Sequence, residues 1–261
     1  AKNVVIMKPG LARSKKIDLI ILPRHDVLRT TNDERRATKN ILIIEGAPNR
    51  IRITNHERRP VPNLRAAYKK STQVWDGART TNDGIGLLIG GDAKDFRLKK
   101  EDVEKVIDEV MRISEEKNID IFISTSRRTS PEIERLLKEK LSNNKHCKLL
   151  IIANEKNIEG TVANIFGLSD IIITSPESMS MISEAASSGK HVVVFKPETS
   201  NQKPVTRKYD YMVSNLEKQG YVYSAEPDEI YDKVKKILET RPEVKRLDDR
   251  EKIIKKLKQI I

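Results

Sequence analysis

Cysteine occurs once in the 261 residues, at Cys147. A disulfide framework and a thiolate metal site are thereby excluded, and a reducing, cytoplasmic compartment is expected. Histidine is nearly as sparse. His25, His56, His146 and His191 are scattered without ligand spacing, so no metal is expected. No stretch reaches the roughly 18 consecutive apolar residues of a membrane span, and the first residues read as a strand rather than a signal peptide. Aromatic residues make up 4% of the chain, and no basic run is interleaved with rings on which bases could stack. Nucleic acid therefore ranks last among candidate partners. A nucleophile elbow, a GxxxxGK[ST] phosphate loop and a GxGxxG turn are also missing, which removes support for a kinase, an NTPase or a nicotinamide dehydrogenase.

What the chain has in excess is positive charge. Fifty Lys and Arg against 38 Asp and Glu leave +12, which points to an anionic partner: a nucleotide, a phosphate-bearing acceptor or a membrane surface. Abundant Lys, Glu and Ile with a single Cys also suits a heat-adapted protein. The length fits one large or two modest domains.

From Gly84 onward, apolar runs alternate with amphipathic segments. Strands are expected at Ile85–Ile89, Ile119–Ser124, Lys148–Ala153, Asp170–Thr174, His191–Phe195 and Tyr221–Tyr223. Helices are expected at Glu101–Lys117, Pro131–Leu141 (with Ser130 as N-cap), Gly160–Leu168, Ser178–Ser188, Arg207–Gln219 and Asp228–Glu239. In the first of these, Val103, Val106, Ile107, Val110 and Ile113 share one face. Such alternation predicts a parallel, doubly wound sheet. The first 75 residues differ. Asn3–Met7, Ile17–Leu22 and Asn40–Ile44 read as strands, but the segments between them are too short or too polar for full crossover helices. Residues Arg50–Arg79 are polar, carry Pro60 and Pro62, hold at most a helix around Arg65–Ser71, and read as a junction. At the other end, Asp248–Ile261 is amphipathic, with Ile253, Ile254, Leu257, Ile260 and Ile261 apolar, and is expected to pack back on the first lobe. The expected division is 1–78 for a partial N-terminal lobe and junction, 79–240 for a complete nucleotide-binding lobe, and 241–261 for the returning helix.

Chemistry is concentrated where the expected strands end. The segment Ile171–Phe195 runs from strand through a short polar turn into a helix carrying Glu184, then through a Gly into a second strand. In a doubly wound domain this sets Ser178, Ser180 and the free amides of a helix N-terminus at the carboxyl edge of the sheet, where anions bind. Glu184, about two turns in, is placed to accept hydrogen bonds from a ribose. Gly90-Gly91 follows a strand and leaves room for a ligand or for a tight turn. The run Ser124-Thr125-Ser126-Arg127-Arg128-Thr129-Ser130 opens a helix and gathers hydroxyls around two guanidinium groups, a combination suited to phosphate. All these loops are expected on one side of the sheet. From the first lobe, His25-Asp26 follows a strand and supplies a candidate general base, or else a turn-capping His, and Glu45-Gly46-Ala47 follows the next strand.

Taken together, Leu22-Pro23-Arg24-His25-Asp26, Leu88-Ile89-Gly90-Gly91, Ser124–Thr129 and Thr174–Gly189 resemble the signature blocks of the ELM-type mitochondrial fission factor family. This family is broad, largely bacterial and named for its plant members. Order and spacing agree from Ile17 to Phe195. The family is in turn similar to GT-B glycosyltransferases, which implies an α/β fold of two Rossmann-like lobes of GT-B type: the N-terminal one short or truncated, the C-terminal one a doubly wound parallel sheet. By that resemblance Gly90, Gly91, Ser126, Arg127, Arg128, Ser178, Met179, Ser180 and Glu184 line a donor site, with Ser124, Thr129 and Ser175 in the same blocks. The implied activity is sugar transfer from a nucleotide-diphosphate donor, without metal or further cofactor; the basic charge, separately, suits an anionic or lipid-linked acceptor and peripheral contact at the inner membrane face. His25 and Asp26 are the expected catalytic pair. Family members normally carry further strand–helix units before the strand at Asn3–Met7, in the lobe that builds the acceptor side. Two other readings stand beside this one. A non-enzymatic adaptor would retain the fold, and a sugar-nucleotide epimerase would use the same cleft.

Overall fold

The computed structural model describes residues 2–7, 17–27, 40–49, 83–94, 96–156, 158, 160–196 and 207–260. The junction 50–79, with its expected helix around Arg65–Ser71, lies outside the described residues. Three strands come first: β1 (Val4–Ile6), β2 (Leu19–Pro23) and β3 (Ile41–Ile44), all parallel in the order β1-β2-β3. β1 stops one residue before the expected end because Met7 turns left-handed, at φ 80°. After β2 the chain closes at once into a single helical turn, α1 (Arg24–Val27).

The second sheet is larger. Its strands are β4 (Gly84–Ile89), β5 (Asp120–Thr125), β6 (Cys147–Ile151), β7 (Ile171–Thr174), β8 (His191–Phe195) and β9 (Tyr223–Ala225). All pair in parallel, in the order β6-β5-β4-β7-β8-β9. Helices α2 (Lys100–Lys117), α3 (Pro131–Leu141), α4 (Thr161–Leu168), α5 (Met179–Ser187) and α6 (Arg207–Lys218) make the crossovers, and α7 (Ile230–Thr240) follows β9. β9 begins two residues after its expected start. Gly220, at φ 77°, ends α6, and the amide of Tyr221 bonds back to the Leu216 carbonyl, so the turn takes up the residues before Tyr223.

Both faces of this sheet are covered, as the continuous apolar strands require. On one face Ile85, Leu87, Ile121, Ile123, Ile171 and Ile173 meet α2, α3 and α7. On the other, Leu88, Phe122, Ile172 and Val194 meet α4, α5 and α6. Gly84 and Gly86 in β4 make the second face possible. A Cβ on Gly86 would lie 2.6 Å from Ile165 Cγ2, and one on Gly84 would lie 2.3 Å from the Leu168 carbonyl oxygen. Helix α3 starts as expected, with Pro131 at its first position and the Ser130 hydroxyl accepting from the Ile133 amide at 3.4 Å.

The last helix, α8 (Arg250–Lys258), returns to the smaller sheet. Ile253, Leu257 and Ile260 pack against Leu19, Ile21 and Ile44. Among the described residues no helix is long and apolar enough to cross a membrane.

Candidate functional site

Strand order reverses between β4 and β7, because the chain runs outward from β4 through β5 to β6 and then returns to start β7 on β4's other side. In open α/β sheets the crevice beyond the carboxyl ends at such a reversal is where ligands bind. Register places the ends of β4, β5 and β7 level, with Leu88 opposite both Ser124 and Thr174. The loops after these strands therefore meet, as the sequence predicts.

They are joined by a dense set of hydrogen bonds. The Gly90 amide donates to Ser175 Oγ at 2.9 Å, and the Gly91 amide donates to Glu177 Oε1 at 2.8 Å. The Ser175 hydroxyl also donates to Glu177 Oε1, at 3.2 Å. From the β5 side, the Thr129 hydroxyl donates to the Gly90 carbonyl. The Asp92 amide donates to the Arg128 carbonyl at 3.2 Å, and Arg128 Nη1 donates to the Asp92 carbonyl at 3.2 Å. Both glycines are demanded by this closeness. A Cβ on Gly90 would stand 1.6 Å from Glu177 Oε1, and one on Gly91 would stand 2.0 Å from the Arg128 carbonyl oxygen.

The expected site residues thus divide into two groups. Ser124, Thr129 and Ser175 are buried and bond within the protein: Ser124 to the Thr125 carbonyl, Thr129 to Gly90, Ser175 to Gly90 and Glu177. Arg127 and Arg128 are exposed at the mouth, and Ser126 Oγ accepts from the Arg128 amide at 3.1 Å. Ser178, Met179 and Ser180 open α5, whose N-cap makes no side-chain cap bond among the described residues. Glu184 is half-buried on the same helix, and burial pushes its carboxyl above the ordinary range.

Sequence reasoning missed Glu177. It is buried, its Oε2 has no partner among the described residues, and desolvation raises its pKa against the opposing pull of its own backbone amide, the Gly91 amide, the Ser175 hydroxyl and Arg128. The available signal was a carboxylate inside the strand-to-helix turn, one residue before the helix N-cap.

In the first lobe, His25 and Asp26 do not sit on an extended chain. They lie in the helical turn α1, with His25 Nε2 3.9 Å from Asp26 Oδ2, and both are buried, at 5% and 8% exposure. α1 packs against α6 of the larger lobe. The unread Glu45 proves to be a hub. Arg24 Nε and Nη2 bond its two oxygens at 2.6 Å each, while Asn215 of α6 and Gln219 just past its end donate to Oε2 at 3.1 and 2.9 Å. The Arg24 bonds hold the Glu45 carboxyl down to about 2. Next to it, the Gly46 amide donates to Asp249 at 2.9 Å and the Ala47 amide to Ser183 Oγ at 2.8 Å. Helix α5 therefore serves both lobes: its N-terminus faces the switch point and its Ser183 and Ser187 hold the loop after β3. Among the described residues no three His, Cys, Asp or Glu side chains gather as metal ligands would.

Two Rossmann-like units, the larger with its crevice at the β4/β7 reversal and the smaller docked beside it, define a protein of GT-B type. Residues 1–259 match the family described as Mitochondrial fission ELM1, and the chain belongs to it. A curated relative, the uncharacterized protein RP120 of Rickettsia prowazekii, is 28% identical over 150 residues, 52% of this chain and 41% of the relative. The UDP-GlcNAc 2-epimerase of Neisseria meningitidis, solved with UDP-GlcNAc bound, is similar over 94% of this chain and 62% of its own, with a TM-score of 0.56 and 14% identity. The Methanocaldococcus jannaschii UDP-GlcNAc 2-epimerase, solved with UDP-GlcNAc and UDP, gives a TM-score of 0.50 and 17% identity over the same shares. At these identities the likeness is one of fold. The chain spans less than two thirds of each of these proteins.

Proposed function

We propose that the larger lobe binds a nucleotide-diphosphate sugar at the β4/β7 reversal, and that the protein acts as a GT-B-type glycosyltransferase without a metal. One observation carries the reading. The strands β4, β5 and β7 end level, and the chain after β5 and β7 carries the exposed Arg127, with no ion pair among the described residues, and the first turn of α5, the helix on which Glu184 is half-buried. These are the groups a diphosphate and a ribose need. A departing diphosphate gains negative charge, which the helix N-terminus, Arg127 and Arg128 would stabilise. Glu184 would accept hydrogen bonds from the ribose hydroxyls. Ser126, Ser178, Met179 and Ser180 would line the phosphate and sugar side, and the Gly90–Gly91 turn its floor. On the acceptor side His25, with Asp26 beside it, is the proposed base. Its burial against α6 means that an acceptor reaches it only when the lobes part there. An anionic or lipid-linked acceptor suits the net charge of +12.

The similarity to epimerase structures supports a second reading, conversion of the donor itself with no acceptor.

The test is a thermal-shift screen of the full chain against UDP, GDP, ADP, CMP and their sugars, with Glu184→Ala alongside. A ligand at about one hundred times its Kd adds about 2.7 kcal/mol, a shift of several degrees. A shift with one nucleotide that Glu184→Ala abolishes is the expected result. Conversion of that sugar nucleotide without acceptor would select the epimerase. No shift with any nucleotide would reject the donor site and favour an adaptor that keeps the fold.

A further inference from the structure

The amides of Gly90 and Gly91, the pair that the sequence reads as room for a ligand or as a tight turn, are both engaged by the protein's own side chains. This redirects attention to what engages them. Glu177 lies on one side of the glycine turn, with its Oε1 on the Gly91 amide, and the Arg128 carbonyl lies on the other, against the Gly91 Cα. Neither side has slack, since a Cβ on Gly90 would collide with Glu177 and one on Gly91 with the Arg128 carbonyl. Glu177 also directly precedes Ser178, the N-cap of α5. One side chain therefore couples the start of α5 to the turn after β4, and through Asp92 and Thr129 to the loop that carries Arg127 and Arg128.

We propose that Glu177 is the positioning residue of the donor site: bonded through Oε1 to Gly91 and Ser175, it sets the separation between the N-terminus of α5 and the Arg127–Arg128 loop, and it does so as a neutral acid. The proposal rests on the donor-site reading above. Neutrality follows from geometry. Oε2 is buried and makes no hydrogen bond among the described residues, so a charge there would be poorly solvated, and an ionised carboxylate would also repel a diphosphate bound at this edge. The raised carboxyl agrees with this. Among the described residues the charged group acting on it is Arg128, from the loop after β5; the β4 loop presents the Gly91 amide and the β7 loop the Ser175 hydroxyl. Asp92 beside the turn is turned toward Arg97 and the Leu98 amide.

The experiment compares the wild type, Glu177→Gln and Glu177→Ala by UDP titration calorimetry from pH 5 to 8, and by hydrogen exchange without ligand. Glu177→Gln keeps an acceptor for Gly91 and carries no charge. Its Kd for UDP should match the wild type within about threefold at the acid end. Wild-type affinity should weaken, relative to Glu177→Gln, as pH rises and Glu177 ionises. UDP and Glu184 titrate in both proteins, so the difference isolates Glu177. Glu177→Ala should bind UDP about tenfold more weakly, and exchange at residues 90–92 and 126–130 should speed up about tenfold, while β5 and β8 stay protected. If Glu177→Ala does not fold, Glu177→Asp, whose shorter arm cannot reach Gly91, takes its place.

Parallel pH profiles for wild type and Glu177→Gln would overturn the proposal, as would Glu177→Ala with unchanged UDP affinity. If the wild type binds no UDP, the donor-site reading has failed, and hydrogen exchange alone decides positioning: unchanged exchange in Glu177→Ala overturns it, and loss of protection confined to the two loops supports it.

Discussion

Every residue of β4, β5 and β7 is buried, whereas β1 and β3 in the smaller sheet keep Val4, Ile6 and Ile43 exposed. Both sheets are parallel and rich in Ile and Val, so propensity does not separate them. What differs is covering. Six helices bury the larger sheet on two faces, and its glycines let those helices approach closely. Among the described residues, the smaller sheet has an apolar core of Leu19, Ile21 and Ile44 packed by one helix, α8. Its attachment to the rest is polar: the Glu45 hub, the Gly46 bond to Asp249, and the Ala47 and Asn49 bonds to α5. Hydrophobic burial orders one unit, and directional bonds hold the other to it at a fixed angle. Burial is indifferent to small rotations, and hydrogen bonds are not.

The sharpest way to separate the two is to damage each in turn. Phe122 lies over Gly84 and Gly86 in the middle of the larger sheet and is fully buried, so Phe122→Ala should cost about 3–5 kcal/mol, read as a lower urea midpoint for the whole protein. Glu45→Ala comes next. It strands Arg24, Asn215 and Gln219 and should cost about 2–3 kcal/mol, because Arg24 is partly exposed and recovers some solvation. Its signature is acid sensitivity. The Arg24 bonds hold Glu45 at about 2 in the folded state against 4.5 as the ordinary value. The unfolded chain therefore takes up the proton first as pH falls below 4.5, so this contribution is whole above that point and is lost on the way down through 2. Wild type and Glu45→Ala should converge in stability toward pH 2 and diverge above 4.5. Equal separation at all pH values would show that the hub is not ionic.

How much of this was legible depends on whether order comes from pattern or from geometry. The alternation from Gly84 onward names its strands and helices almost to the residue, because continuous apolar runs and a 3.6-residue stripe such as Val103–Ile113 have few other solutions. The meeting of the three loops follows from parallel order alone. The role of each loop residue does not. Ser124, Thr129 and Ser175 read from sequence as ligand hydroxyls, yet the structure buries them as struts, and nothing in their spacing distinguishes the two uses. Glu177 and Glu45 were passed over for a similar reason. A buried carboxylate is recognised by its partners, and those lie 86 residues away at Gly91 and 170 and 174 away at Asn215 and Gln219. The shift of β9 was hidden in the left-handed turn at Gly220.

The smallest perturbation is the most discriminating. Leu257 on α8 is only partly buried, packed against Leu19, Ile21 and Ile44, so Leu257→Ala should cost about 1–2 kcal/mol, below the range for fully enclosed leucines. The cost should also be local. α8 touches β3, and no apolar residue of the larger sheet lies in the same cluster. In hydrogen exchange, the amides of β2 and β3 should therefore lose protection by about the full mutational amount, while those of β4, β5 and β7 stay as they are. Equal loss in both sheets would mean that the polar contacts at Glu45 and α5 couple the units into one cooperative body, and the contrast between the lobes would then be one of construction but not of stability. Loss confined to β2 and β3 would show that the smaller sheet opens on its own. The lobe carrying His25 would then be able to part from α6 without disturbing the crevice at the β4/β7 reversal.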